Sequence, residues 1–292
     1  MKISRKRFME SVFFCIPAML LVSLMIYIPF VLSGYYSLTQ WDGIAREPVF
    51  IGLQNFKTIF TSGGDFLASL IFTAKYTVFF MIFTNIFALA LALALVHKFK
   101  LANLLRGIFF VPYIMSMIIV GFIWRFIFSQ GFDRLYEITG IGFFNLSWLG
   151  TVNLAFISVV IVGVWQSLGF YIVLYIAGLN AIPEDVLEAA TIDGARGWSR
   201  LLHVTIPLLW PSVIICMFMS LTNSLKVFDI ILALTRGGPG GATTSATMNI
   251  YREAFQNNNY GLGSAKALVY FVVVVLLTQL ILWLLRRKQV EY

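Results

Sequence analysis

Charge is scarce in this chain. Asp, Glu, Lys and Arg make up only 12% of its 292 residues, against 60% that are hydrophobic. That deficit excludes an ordinary soluble domain, which needs more polar surface around its core. Cysteine is nearly absent. Cys15 and Cys216 each sit inside an apolar run and read as small buried hydrophobes, not as a bridge or a metal site. His97 and His203 fall near the ends of apolar runs with no second ligand at metal spacing, so they read as interfacial histidines. No GxxxxGK[ST] phosphate loop occurs, so the chain is not itself an ATPase of that class, and no cofactor of its own is expected. No ionisable residue stands clearly at mid-depth in an apolar run, which argues against a proton relay through the membrane.

What the chain has instead is long apolar runs. Six occur, over about 12–33, 72–96, 107–128, 152–180, 206–228 and 265–286. A helix of about 20 apolar residues crosses a bilayer, and runs this continuous lack the alternation of a barrel strand. The expected fold is an all-α integral membrane protein, one domain over 1–292 with six transmembrane helices. The opening "MKISRKR" is basic like the start of a signal peptide. The run after it is long, carries Pro17 and Pro29 and lacks a small-x-small cleavage site, so it is expected to be a retained span.

The net charge of +8 is mostly topology. Lys2, Arg5, Lys6, Arg7, Lys98, Lys100, Arg106, Arg196, Arg200, Arg286, Arg287 and Lys288 fall on one side of the expected spans. Only Arg46, Lys57, Arg134, Arg236 and Arg252 fall in the loops of the other. The positive-inside rule then puts both termini in the cytoplasm, and no nucleic-acid partner is needed to explain the basic excess. The outer segments 34–75 and 227–266 are rich in glycine and aromatics, too short for a domain core, and hold "WDG", "GLQNF", the loop signal "TRGGPGGATT" and a short helix at "NIYREAF". Lys75, Arg125, Lys226, Asp229 and Lys266 fall at outer span ends. Snorkelling is the first reading for them and an external gate or substrate vestibule the second, and Lys226 and Asp229, three apart, can pair on a helix.

The segment 183–205 between spans four and five is charged and broken by glycine. Pro183 fits a first helical position, and Glu184 and Asp185 follow in the first turn, where the helix dipole favours acids. Val186, Leu187 and Ala190 share a side, and Asp193-Gly194 offers a stop. A second amphipathic turn carries Trp198, Leu201 and Leu202. A surface connector between two spans has this pattern. So does a helix that meets a protein partner, which the small pair Ala189-Ala190 favours.

Glu188-Ala189-Ala190, Gly194 after three intervening residues, and "VTIP" ending at Pro207 resemble the cytoplasmic-loop signature of permease subunits of binding-protein-dependent, ATP-driven importers. Val204 and Ile206 replace the usual isoleucine and leucine. "GLQNF", "AGLNAIPED", "TRGGPGGAT", "IYREAF" and "YGLGSA" occur in order and resemble the carbohydrate branch, above all the first of two paired permeases in maltose-, lactose- and glycerol-phosphate-type systems. The resemblance implies a prokaryotic cell membrane, a second homologous permease, two cytoplasmic ATPase subunits that bind ATP and magnesium, an extracytoplasmic solute-binding protein, and a carbohydrate or related solute. It implies that Glu188, Ala189, Ala190, Asp193 and Gly194 couple this chain to an ATPase. It also implies a pathway lined from spans four and five. The polar and aromatic interruptions there are Trp165, Gln166, Ser167, Phe170 and Tyr171, then Ser220, Asn223, Ser224 and Phe228. Each of these also fits interhelical hydrogen bonding, the reading preferred for Asn85.

Two other classes compete. A standalone secondary transporter of a small polar solute needs mid-membrane carboxylates and inverted repeats, and neither is visible. A membrane enzyme needs a catalytic constellation at one membrane edge. Glu184, Asp185, Glu188 and Asp193 cluster without a partner histidine or metal pattern.

Overall fold

The computed structural model describes residues 5–62, 64–96 and 100–287; Lys2, His97, Lys98 and Lys288 lie outside the described residues. The chain divides into two compact units, Met1–Gly64 with Ile250–Val272, and Asp65–Asn249 with Val273–Tyr292. Four helices are long and apolar enough to cross a membrane, or up to six if each of two bent pairs is one span.

The first unit starts with α1 (Arg5–Val22), a wide turn at Ser23–Tyr27 and α2 (Ile28–Ser37). Together they hold the candidate span Val12–Ser37. A two-residue ladder follows, β1 (Thr39–Gln40) against β2 (Val49–Phe50), antiparallel, with Thr39 opposite Phe50. The "WDG" motif builds its turn. The Asp42 carboxylate accepts the backbone N–H groups of Ala45 at 2.7 Å and Ile44 at 2.9 Å, and these bonds, Ala45 first, hold its pKa below the usual carboxylate value. The "GLQNF" motif opens α3 (Gln54–Ser62), and its Asn55 is buried. The Asn55 amide donates to the carbonyls of Ser37 at 2.9 Å and Thr39 at 2.8 Å, strapping α3 to the end of α2.

The second unit is built around α4 (Gly64–Leu95) and, after α5 (Ala102–Ile114), α6 (Met117–Phe126) and α7 (Phe132–Thr139), around α8 (Val152–Asn180). The path continues through α9 (Glu184–Ile192), α10 (Gly197–Arg200), α11 (Ile206–Leu208), α12 (Trp210–Leu225), α13 (Asp229–Leu234), α14 (Ala246–Tyr251) and α15 (Tyr260–Arg286). Helix α8 is the most buried span, with 61% of its most apolar stretch covered. Its packing needs small residues. A Cβ at Gly169 would overlap the Phe109 carbonyl of α5, so only glycine permits that crossing. A polar knot ties α4, α8 and α12 together. The Tyr175 hydroxyl donates to Asn85 Oδ1 at 2.7 Å, and Asn85 Nδ2 donates to Ser220 Oγ at 3.0 Å.

Two of the expected spans coincide with bent helix pairs. Ala102–Ile114 and Met117–Thr139 meet at 96°, and Gly197–Leu208 meets Trp210–Leu225 at 70°. Pro112 explains the first. It cannot donate to the helix ladder, and three residues later Met115 is extended at ψ 144°. Pro207 and Pro211 flank the second bend at Leu209. Helix α12 also ends at Leu225, before the expected 228, and a new helix starts at Asp229. The expected pairing on one helix therefore fails, and among the described residues no ion pair joins Lys226 to Asp229. Lys266 does not snorkel either. It is 6% exposed and its Nζ lies 2.7 Å from Glu253, the acid of the "REAF" motif.

Candidate functional site

Two places gather the residues singled out from the sequence. The first is a cavity of about 290 Å³ in the second unit. Helix α8 supplies Gln166 and Ser167, helix α12 supplies Asn223 and Ser224, and the break after α12 supplies Phe228. Five of the nine expected pathway residues thus share one wall system.

The bend between α5 and α6 sits at this cavity, through Tyr113 and Met117. Broken helix leaves carbonyls without intrahelical partners, which membrane proteins tolerate where the backbone is covered or lines a cavity. Gln166 meets that need. Its amide donates to the carbonyls of Tyr113 at 3.4 Å and Met115 at 3.5 Å. The Ser167 hydroxyl donates to the Gly163 carbonyl at 2.8 Å and also contacts Gln166 Oε1 at 3.4 Å. Asn223 is exposed, and its amide donates to the Tyr171 hydroxyl at 3.3 Å.

Four expected residues do not line the cavity. Phe170 stacks behind it on Tyr113 at 4.8 Å, and Tyr171 is fully buried. Ser220 is buried in the Asn85 knot, so its hydroxyl is spent on helix packing. Trp165 points elsewhere, into a groove of about 530 Å³ that it forms with apolar side chains of α4 and α8, including Phe79, Phe83 and Phe87. A helix presents residues 165 and 166 about 100° apart, so neighbours in sequence serve different surfaces.

Sequence reasoning missed Tyr76 and Tyr113, which line the cavity, and gave Lys226 and Asp229, which also line it, a vestibule only as the second reading. The signals were present but read otherwise. Pro112 beside Tyr113 marks a break, and the charges at 226 and 229 flank the end of α12. The finished wall offers amides, hydroxyls, aromatic faces and one charge of each sign. That set accepts a neutral, hydroxyl-bearing solute with apolar faces better than an ion. Among the described residues no group of three or more His, Cys, Asp or Glu side chains could hold a metal ion.

The second place is the segment 183–205. Pro183 is the residue before the helix, at ψ 134°, not its first helical residue as expected; Glu184 and Asp185 open α9. Asp193 closes it and Gly194 turns left-handed at φ +85°. The Ala195 N–H reaches back to the Ala190 carbonyl at 2.9 Å and the Gly194 N–H to the Thr191 carbonyl at 3.1 Å, a complete Schellman ending. Glu188, Ala189, Asp193 and Gly194 are exposed and Ala190 is half-buried. Glu188 also lines an open groove of about 470 Å³ with Glu184, Leu187, Thr191, Ile192 and Arg200. Ile192 is 85% exposed and Trp198 76%.

Comparison with known proteins places these features. Residues 85–290 match the family described as binding-protein-dependent transport system inner membrane component. The chain is 39% identical over 278 residues to the probable starch degradation products transport system permease protein AmyD of Thermoanaerobacterium thermosulfurigenes, covering 95% of this chain and 94% of that one. It is 34% identical to the trehalose/maltose transport system permease protein MalF of Thermococcus litoralis, covering 90% and 89%. Its fold is similar to a chain in the crystal structure of a bacterial ABC transporter involved in the import of the acidic polysaccharide alginate, with a TM-score of 0.82 at 20% identity, over 97% of this chain and 96% of that one.

Proposed function

The chain belongs to the binding-protein-dependent transport system inner membrane components, and from that premise we propose that it is a permease subunit of an ATP-driven carbohydrate importer. Each bent pair counts as one span, which makes six. Both termini lie in the cytoplasm of a prokaryote, by the distribution of its arginines and lysines. The chain forms half of the translocation path with a second permease. Carbohydrate is favoured by the relatives, several of which are sugar permeases by name, and by the neutral polar cavity at Gln166, Ser167, Asn223 and Ser224. A solute-binding protein delivers the solute at the outer face, with "TRGGPGGATT" as a contact loop. The solved alginate importer complex includes an alginate pentasaccharide-bound periplasmic protein.

The observation that carries the coupling role is the exposure of α9. Nothing within the chain covers Glu188, Ala189 and Ile192 of α9 or Trp198 of α10, and a charged, small-residue face beside large apolar side chains suits a protein partner. Glu188 can accept charge-assisted hydrogen bonds from a partner's arginines, and the two alanines admit a close approach. The Schellman ending at Gly194 makes α9 a rigid unit with a fixed exit, as a lever requires. ATP and magnesium are bound by the ATPase partner. The test is a cysteine at Ala189 and another in the cleft of the co-purifying ATPase, with Cys15 and Cys216 replaced. A disulfide whose yield changes with ATP is expected. Its absence, with both thiols shown to be reactive and the ATPase present, would sink the coupling role.

A further inference from the structure

We infer that α3, with the strand before it, is an interfacial anchor lying in the headgroup region of the outer leaflet. The inference rests on Val12–Ser37 being a span and on the proposed cytoplasmic N-terminus, and not on the solute or the ATPase. Helix α3 has two faces. Asn55 and Ile59 are buried, while Phe60, and Leu53 just before the helix, are 77% and 71% exposed, about one turn to either side of Lys57. Val49 and Phe50 of β2 are exposed as well. Large apolar side chains left open in this number on a short loop helix call for a partner.

The chain says which partner. Asn55 binds the carbonyl of Ser37, the last residue of the candidate span. The helix is therefore fixed at the level where that span leaves the bilayer. Nothing within the chain covers the most apolar stretch of that span.

The polar groups of α3 agree with a half-dry site. The Thr58 and Thr61 hydroxyls are spent on the helix, donating to the carbonyls of Gln54 at 3.0 Å and Lys57 at 2.9 Å. Lys57 lies between Leu53 and Phe60, where its stem can cover apolar surface and its ammonium reach phosphate groups. A docking site for the solute-binding protein would be open to water until that protein arrived. An interfacial anchor is covered at all times.

The test uses the full chain, with its co-purifying subunits, in phosphatidylethanolamine and phosphatidylglycerol vesicles. Single cysteines at Leu24, Glu47, Leu53 and Phe60, in a background without Cys15 and Cys216, carry a nitroxide. Collision with dissolved oxygen reports lipid, and collision with a water-soluble nickel chelate reports solvent. Leu24, exposed within the span, calibrates lipid, and Glu47, exposed in the hairpin loop, calibrates water. The oxygen-to-nickel ratio at Leu53 and Phe60 is expected to exceed that at Glu47 several-fold, without any solute-binding protein. A ratio like that of Glu47 would overturn the anchor. So would exclusion of both reagents, which would assign the face to a protein. If Leu24 itself favoured nickel, the span would be wrong and the anchor with it. In the unmodified chain, a phospholipid with a diazirine near its headgroup is expected to label residues 49–61, and a failure to label them would also overturn the proposal.

Discussion

Val12–Ser37 and Val152–Asn180 are alike on paper. Both are continuous apolar helical runs long enough to cross a bilayer, yet none of the most apolar stretch of the first is buried and 61% of that of the second is. Hydropathy measures compatibility with hydrocarbon, and lipid tails and neighbouring helices are equally apolar. What separates the two is detail that a hydropathy average hides. Helix α8 carries Ser158, Gly163, Gln166, Ser167 and Gly169, all buried, on the side that other helices approach. The first span sets Phe13, Phe14, Met19, Leu20 and Leu21 outward. Small and polar residues inside an apolar helix therefore signal protein contact, and bulky ones all round signal lipid.

The sharpest way to test that contrast is to compare buried with exposed versions of one interaction. Glu253 and Lys266 form a covered ion pair, while Arg134 and Glu137 form one at the surface. Removing one partner of a buried pair strands the other charge and costs ~3–5 kcal/mol, whereas an exposed pair contributes ~0–1 kcal/mol. Lys266→Met is expected to lower unfolding stability in detergent by the first amount, and Arg134→Met by no more than the second. Equal losses would mean that Glu253 finds water easily.

A smaller effect is expected from glycine. Gly169→Leu forces a side chain against the Phe109 carbonyl and should cost ~1–3 kcal/mol or more through overpacking, seen as a lower melting temperature and loss of folded yield. Gly34 in α2 has open space around it, so Gly34→Leu should leave stability unchanged or raise it by up to ~1 kcal/mol through helix propensity. If both were neutral, the α5–α8 crossing would be looser than the structure has it.

The smallest effect belongs to a single hydroxyl. Tyr175→Phe deletes the donor to Asn85 inside the helix knot and should cost ~1–2 kcal/mol, near the upper end measured for hydrogen bonds between membrane helices. Tyr35→Phe, in the exposed first span, should cost nothing measurable. A Tyr175 variant as stable as the parent would show that the knot orients helices without stabilising them.

Legibility followed the same division. Helix α9 and its stop at Asp193-Gly194 could be read directly, because capping is local chemistry between residues a few apart. The role of Asn85 could be anticipated, because a lone amide in hydrocarbon must find partners. The bends could not be placed. Pro112 was visible, but the partner of the carbonyls freed at the 96° turn was not, because Gln166 lies 51 and 53 residues from them. The cavity was half legible for a related reason. Polar interruptions pointed to Gln166, Ser167, Asn223 and Ser224, but only packing decided that Ser220 serves Asn85 and that Trp165 turns to an apolar groove.

The sequence by itself determined that the chain is helical and membrane-borne, because run length and scarcity of charge answer to the bilayer alone. It also determined the stop of α9 at Asp193-Gly194, because that geometry closes between residues a few apart. Only the tertiary structure decided where two spans bend, which polar residues face a cavity, and that Lys266 is buried against Glu253. Those outcomes depend on partners far apart in the chain, and a backbone or charged group without water takes whichever partner the fold brings near.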